Sequence, residues 1–297
     1  MTKEIRMILR VCPEPVRSAL AALPDAEQGR MEELRLRLDR PASIVVGGRE
    51  WNLLDGRENI PVDAGMLRAV LDAATERSAY AAQGMLREGF LTLPGGHRLG
   101  VCGEMVMKEG APYALKNISS VNLRIARQVS GIGEPLAAMI WANPKSTLII
   151  GAPGSGKTTL LREGIRQLSD RFSFRVSVAD ERNEISASCD GSPGFQIGRK
   201  TDVLCLCPKA LAMERLLRSM NPQWIAVDEI TAAADIAAME QVSYCGVLFL
   251  ATAHATGLDE LRRRPVYRRL LETGLFENLA IVGENRQITT MRIPYDD

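Results

Sequence analysis

Gly151-Ala152-Pro153-Gly154-Ser155-Gly156-Lys157-Thr158 is the stretch whose reading decides the fold of the second half of this 297-residue chain. A short apolar run, Thr147–Ile150, precedes it, and a helical pattern over Lys157–Leu168 follows. Strand, glycine-rich turn and helix in that order are the context a phosphate-binding loop requires. Glycines let the backbone curl so that successive amides face one anion, and the helix N-terminus adds its partial positive charge. Lys157 is expected to reach the β- and γ-phosphates of a nucleotide, and the Thr158 hydroxyl to ligate Mg²⁺. With Thr159, residues 151–159 form the expected nucleotide-binding run, so ATP and Mg²⁺ are the expected ligands.

Downstream, Trp224–Ile230 reads WIAVDEI, an apolar strand that ends in two acids. Such a strand delivers Asp228 and Glu229 to the carboxyl edge of a parallel sheet, where ligands bind. Asp228 is predicted to hold Mg²⁺, and Glu229 to orient or deprotonate the attacking water. A second acidic group, Asp180-Glu181-Arg182-Asn183-Glu184, closes the strand predicted over Phe174–Ala179. Three acids there exceed what Mg²⁺ needs, so Asp180, Glu181 or Glu184 is an alternative base. His254 follows the apolar strand predicted over Val247–Ala251 and is a candidate γ-phosphate sensor, with Thr252 as the alternative.

The same second half carries helical patterns over Lys209–Met220 and Ala232–Tyr244. Strands alternating with helices predict a parallel sheet covered on both faces. Asp190–Pro208 interrupts the rhythm and reads as a loop insertion or short hairpin. The first half changes period often. Met31–Leu38, MEELRLRL, alternates as a strand does, and Ser43–Val46 is a second strand. Met66–Tyr80 has helical spacing, and Phe90–Leu93 with His97–Val106 reads as a hairpin. The expected organisation is an α+β domain over 1–133 and a P-loop domain over 134–297. Arg124 and Arg127, in NLRIAR, stand just before that border. An arginine there can stabilise a transferring phosphoryl group, in its own subunit or a neighbour's. Arg262–Arg264 with Arg268 and Arg269 is a basic cluster, a solvated helix face or a contact for an anionic partner.

Composition narrows the alternatives. A net charge of +1 and an aromatic content of 5% leave no phosphate track or stacking platform, so nucleic acid is not the expected partner. Six cysteines without CxxC spacing, and only His97 and His254 for imidazole, imply no zinc and a reducing cytosol. The amino-terminal segment has no signal-peptide core, and no apolar stretch is long enough to span a bilayer. Membrane work would then be peripheral, through partners.

EELRLRLDRP, GFLTLPGGHRLGVCGE, SSVNLRIARQVSG, GAPGSGKTTLLRE, ADERNEI, CPKA, LRSMNPQWIAVDEI and LATAHA together resemble the stage III sporulation protein AA family. That family is related to the type II and type IV secretion ATPases, and the resemblance runs over nearly the whole chain. It implies a RecA-like ATPase core behind an N-terminal domain, working as a homo-oligomeric ring, a hexamer. It further implies a mother-cell protein at the membrane, with membrane-protein partners in a channel to the forespore. By the same resemblance, Asp180, Glu181 and Glu184 match the acidic box of secretion ATPases, and Asp228 and Glu229 the second acidic motif. His254 matches the histidine box, and Arg124 and Arg127 the arginines between domains. The chain departs from the pattern after Ile230, where Thr231 and three alanines replace the usual glycine and arginine. A nucleotide switch that turns over little, or a nucleic-acid-stimulated ATPase, are the other classes such a core serves.

Overall fold

The computed structural model describes residues 3–76, 89–129, 131–189, 191–283 and 285–294. It divides into two compact units, Met1–Arg127 with Ala187–Gly194, and Gln128–Ser186 with Phe195–Asp297.

The first unit begins with three short helices, α1 (Lys3–Ile8), α2 (Val16–Ala22) and α3 (Asp25–Arg30). Strands β1 (Met31–Arg37), β2 (Ser43–Val46) and β3 (Arg49–Asn52) follow, then a small ribbon of β4 (Leu54–Asp55) with β5 (Glu58–Asn59). Helix α4 (Ala64–Thr75) leads to β6 (Phe90–Leu93), β7 (His97–Lys108) and β8 (Ala111–Arg124). The main sheet runs β3-β2-β1-β8-β7-β6, with every neighbour antiparallel. Alternation in β1 buries Leu34 and Leu36 together with Leu99, Val121 and Leu123 from the neighbouring strands. Apolar faces of α1, α2 and α4, through Ile5, Leu20, Leu67 and Val70, close this core. Burying each such side chain contributes about 1.5–3 kcal/mol. The Asp63 carboxylate caps α4 by accepting the Met66 amide at 2.7 Å. Residues 77–80, included in the helix expected over Met66–Tyr80, lie outside the described residues.

The second unit holds α5 (Glu134–Ala142), β9 (Thr147–Gly151), α6 (Lys157–Arg166), β10 (Val176–Asp180), β11 (Thr201–Cys205), α7 (Lys209–Met220) and β12 (Trp224–Val227). After these come α8 (Ala233–Ser243), β13 (Leu248–His254), α9 (Leu258–Arg263), α10 (Pro265–Glu272), β14 (Asn278–Val282) and β15 (Ile288–Arg292). The sheet order is β11-β10-β12-β13-β9-β14-β15, parallel except for β15. The inner strands are apolar on both faces, as a covered parallel sheet demands. Ile225, Phe249 and Leu148 face α7, α8 and α10, through Met213, Met239 and Leu270. Ala226, Leu250 and Ile149 face α5 and α6, through Ile140, Leu160 and Ile165.

One expectation is corrected here. The segment 190–208 is not only a loop or hairpin, because Thr201–Cys205 is the edge strand β11, paired parallel to β10 from Val176↔Thr201 to Asp180↔Cys205. An edge strand is half-covered, so TDVLC lacks the apolar run that marks its inner neighbours.

Candidate nucleotide site

The phosphate loop leaves β9 at Gly151 and enters α6 at Lys157. Gly151 cannot carry a side chain, since a Cβ there would lie 2.5 Å from Ser155 Oγ and 2.8 Å from the Val282 carbonyl oxygen. Gly156 sits at φ 107°, a region that excludes other residues, and turns the chain into the helix. Lys157 is buried, and its Nζ donates to the carbonyls of Gly151 (3.0 Å) and Ala152 (2.9 Å). Burial pulls its pKa below the usual lysine range, opposed by the charges of Asp228 and Glu229.

Opposite the loop, two strand ends converge. Asp228 follows β12, and Thr252 and His254 belong to β13, which lies between β12 and the loop strand β9. Thr158 Oγ1 donates to Asp228 Oδ2 at 2.9 Å. Thr252 Oγ1 donates to Asp228 Oδ1 at 2.5 Å and accepts the Glu229 amide at 2.7 Å. Glu229 Oε1 lies 2.5 Å from His254 Nε2, and Glu229 Oε2 accepts from Arg182 Nη1 at 2.9 Å. One connected chain of polar contacts thus runs from the first turn of α6 to the loop after β10. Burial raises the Asp228 pKa against the hydrogen bonds of Thr252 and Thr158, with Glu184 and Glu229 adding to the rise. A divalent cation would relieve that penalty. Two oxygen donors, Thr158 Oγ1 and Asp228 Oδ2, suit Mg²⁺, which takes few protein ligands and completes its shell with water and phosphate.

A cleft of about 400 Å³ contains these groups, and Gly154, Gly156, Thr159 and Glu184 share its wall. His254 is the last residue of β13, not a residue beyond it. Its amide donates to Tyr267 Oη at 3.2 Å, while its Nδ1 is buried without a hydrogen-bond partner among the described residues.

The acids after β10 divide. Asp180 is buried, and its oxygens accept the amides of Glu184 (2.8 Å), Ile185 (3.1 Å) and Ser186 (2.8 Å) and the Ser186 hydroxyl (2.8 Å). That carboxylate shapes the loop and has no lone pair to spare for water. Glu181 pairs with Lys209 Nζ at 3.0 Å and lines an adjoining pocket outside the phosphate-loop cleft. In this arrangement its carboxylate anchors Lys209. Glu184 reaches the cleft, its carbonyl held by Arg162 Nη2 at 2.9 Å.

The two arginines also part. Arg127 Nη2 donates to the carbonyls of Gln28 (2.8 Å) and Met31 (2.7 Å), so its guanidinium ties α3 to β1 within the first unit. Both contacts use Nη2 and lie within the first unit. Arg124 is 67% exposed, with Glu33 Oε1 at a loose 3.8 Å. In the basic cluster Arg264 and Arg268 pair with Glu260 and Glu272 one turn away, and Arg262 donates to the Pro294 carbonyl. Reading residue by residue misses Arg182, Arg162 and Lys209. Arg182 and Lys209 stand inside quoted motifs, ADERNEI and CPKA, yet only the strand order brings them to Glu229.

A glycine-rich loop on an inner parallel strand, a second strand ending in Asp-Glu, and a polar-ended strand between them define a RecA-like P-loop fold. Solved structures share it. The pilus retraction motor PilT with bound ADP aligns with a TM-score of 0.62 at 16% identity, over 86% of this chain and 76% of that one. The Legionella pneumophila ATPase DotB aligns with a TM-score of 0.56 at 17% identity, over 90% and 77%. The chain belongs to the family described as sporulation stage III, protein AA, which matches residues 2–297. Stage III sporulation protein AA of Bacillus subtilis (strain 168) is 34% identical over 294 residues, 97% of this chain and 94% of that one.

Proposed function

We propose that this protein is a Mg²⁺-dependent ATPase that energises or assembles a secretion-like channel between mother cell and forespore during sporulation. The observation that carries the reading is the polar chain Thr158–Asp228–Thr252–Glu229–His254 facing the phosphate loop. Loop amides and Lys157 bind the β- and γ-phosphates. Thr158 and Asp228 would hold Mg²⁺, which when bound would supply positive charge beside the phosphate oxygens. Glu229 accepts a proton from the attacking water, a new P–O bond forms at the γ-phosphorus, and ADP leaves with the electron pair of the broken bond. His254 orients the Glu229 carboxylate. Glu184 is the alternative base. Among the described residues no helix is long and apolar enough to cross a membrane. The proposal includes attachment to the mother-cell membrane through membrane-protein partners, as a homo-oligomeric hexameric ring. The first unit then offers Arg124 to the nucleotide, besides serving assembly or partner binding.

A second reading has its own observation. Both Glu229 oxygens are engaged, by His254 and Arg182, which suits a nucleotide switch with little turnover. Steady-state hydrolysis separates the two. Lys157→Ala should leave the fold intact and reduce turnover by roughly a hundredfold or more, since the lysine's charge acts on the transferring group. Undiminished hydrolysis by folded Lys157→Ala protein would rule out the ATPase assignment.

A further inference from the structure

Lys209 is a buried lysine at the first position of α7. Both facts count against it. Burial costs a charged group its hydration, and the N-terminal end of a helix repels a cation. Only a specific set of partners can offset that, and three are present. Lys209 Nζ donates to the Glu229 carbonyl at 2.9 Å, lies 3.0 Å from Glu181 Oε2, and stands 3.9 Å from Asp235 Oδ2. These partners come from three separate segments: the loop after β10, the turn after β12 and the start of α8. Asp235 in turn accepts the amides of Thr231 (3.2 Å) and Ala232 (3.1 Å), so the ammonium sits beneath the whole turn after Glu229.

Glu229 itself is in the left-handed region, at φ 57°. A glutamate held there is strained and persists only where its surroundings over-determine it. Two contacts fix the backbone of this residue from opposite sides. Thr252 Oγ1 accepts its amide, and Lys209 takes its carbonyl. The unusual φ turns the side chain to His254 and Arg182 at the cleft. We infer that Lys209 is a positioning residue for hydrolysis. It touches no phosphate; it holds the peptide of Glu229 so that the carboxylate meets the cleft, with Glu181 and Asp235 anchoring the ammonium. The inference rests on the ATPase reading and deepens it.

The test uses the full chain. Lys209→Met keeps the length of the side chain and removes the charge. Turnover should fall by about thirtyfold or more, as expected when a reacting group is misplaced by an ångström. Affinity for a non-hydrolysable ATP analogue should stay within about threefold, because the phosphate loop is untouched. In a Glu229→Gln background, adding Lys209→Met should cost nothing further, since residues acting through one group are not additive. Additive losses, or wild-type turnover in Lys209→Met, would overturn the inference while leaving the ATPase assignment standing. A crystal structure of the variant gives a reading independent of turnover. Glu229 leaving its positive φ supports the inference, and Glu229 unchanged there and at His254 defeats it. If Lys209→Met does not fold, Glu181→Gln removes one anchor without opening a cavity, and should lower turnover several-fold at unchanged affinity. Wild-type turnover in Glu181→Gln would then count against the role.

Discussion

At the scale of single residues, the question is which carboxylate serves water. Glu229 follows directly on the Mg²⁺ candidate Asp228 and shares Thr252 with it. Glu184 also reaches the cleft, and its main chain is held by Arg162, a buried guanidinium stacked 3.8 Å over the Phe195 ring. Glu229→Gln should keep ATP binding and slow hydrolysis by about a hundredfold or more, the scale of a lost general base. Glu184→Gln should leave most of the rate. Single-turnover hydrolysis with the bound nucleotide measured separately checks both, and the opposite pattern would hand the role to Glu184. Asp180 falls out of this contest because four loop donors already satisfy it. Replacing it would leave those buried donors unpaired, a cost of about 1–3 kcal/mol each, so its loss speaks of the loop and not of the base.

At the scale of elements, His97 shows how a strand end fixes its neighbour. It opens β7, is buried, and its Nδ1 accepts the Ala126 amide at 3.1 Å, holding the chain as it leaves β8. Its Nε2 is buried without a hydrogen-bond partner among the described residues. Burial lowers its pKa to about 4 from 6.5, opposed by the charge of Glu4 and helped by that of Arg127. A lowered folded-state pKa means that the unfolded chain binds the proton first. Stability is therefore full above pH 6.5 and is lost as the pH falls towards about 4. At about 1.4 kcal/mol per unit the loss is on the order of 3 kcal/mol. His97→Asn, whose side-chain oxygen can take over the acceptor role, should flatten this part of the profile. Denaturant melts of both proteins from pH 7 to 4 check it, and equal slopes would show that His97 is not the titrating group. Elements differed in how legible they were. β12 and the helix Lys209–Met220 could be read from composition, because an inner strand is apolar on both faces and a surface helix has one apolar stripe. β11 could not, since an edge strand has one covered face. The site was half legible for a related reason. The phosphate loop and Asp228-Glu229 are contiguous in sequence, whereas Arg182 and Lys209 join Glu229 only through the strand order β10-β12-β13.

At the scale of the whole molecule, the open matter is where positive charge on the γ-phosphate comes from. Hydrolysis at speed usually needs an arginine beyond the phosphate-loop lysine. Thr231 and the alanines after Ile230 supply none. Arg127 is spent on the Gln28 and Met31 carbonyls, which leaves Arg124 in the first unit and Arg182 in the second. They differ in what they touch. Among the described residues Arg124 has only a loose contact with Glu33, so we propose it as the charge on a nucleotide in its own subunit or a neighbour's. Arg182 already meets the candidate base, an exposed pair worth less than about 1 kcal/mol and readily exchanged for a phosphate oxygen. We propose Arg124, to which a ring of subunits would give a reason. Residues 128–297 alone should then bind ATP with near-normal affinity yet hydrolyse it about a thousandfold more slowly, within the range set by arginine supply. Arg124→Ala in the full chain should reproduce that loss without changing its melting temperature, and Arg182→Ala should not. Mass measurements with and without ATP, run alongside, say whether the loss follows assembly. If the isolated core turns over at the full rate and Arg182→Ala abolishes it, the charge is supplied from within the core. The first unit would then act on partners or on ring formation, and not on the phosphate.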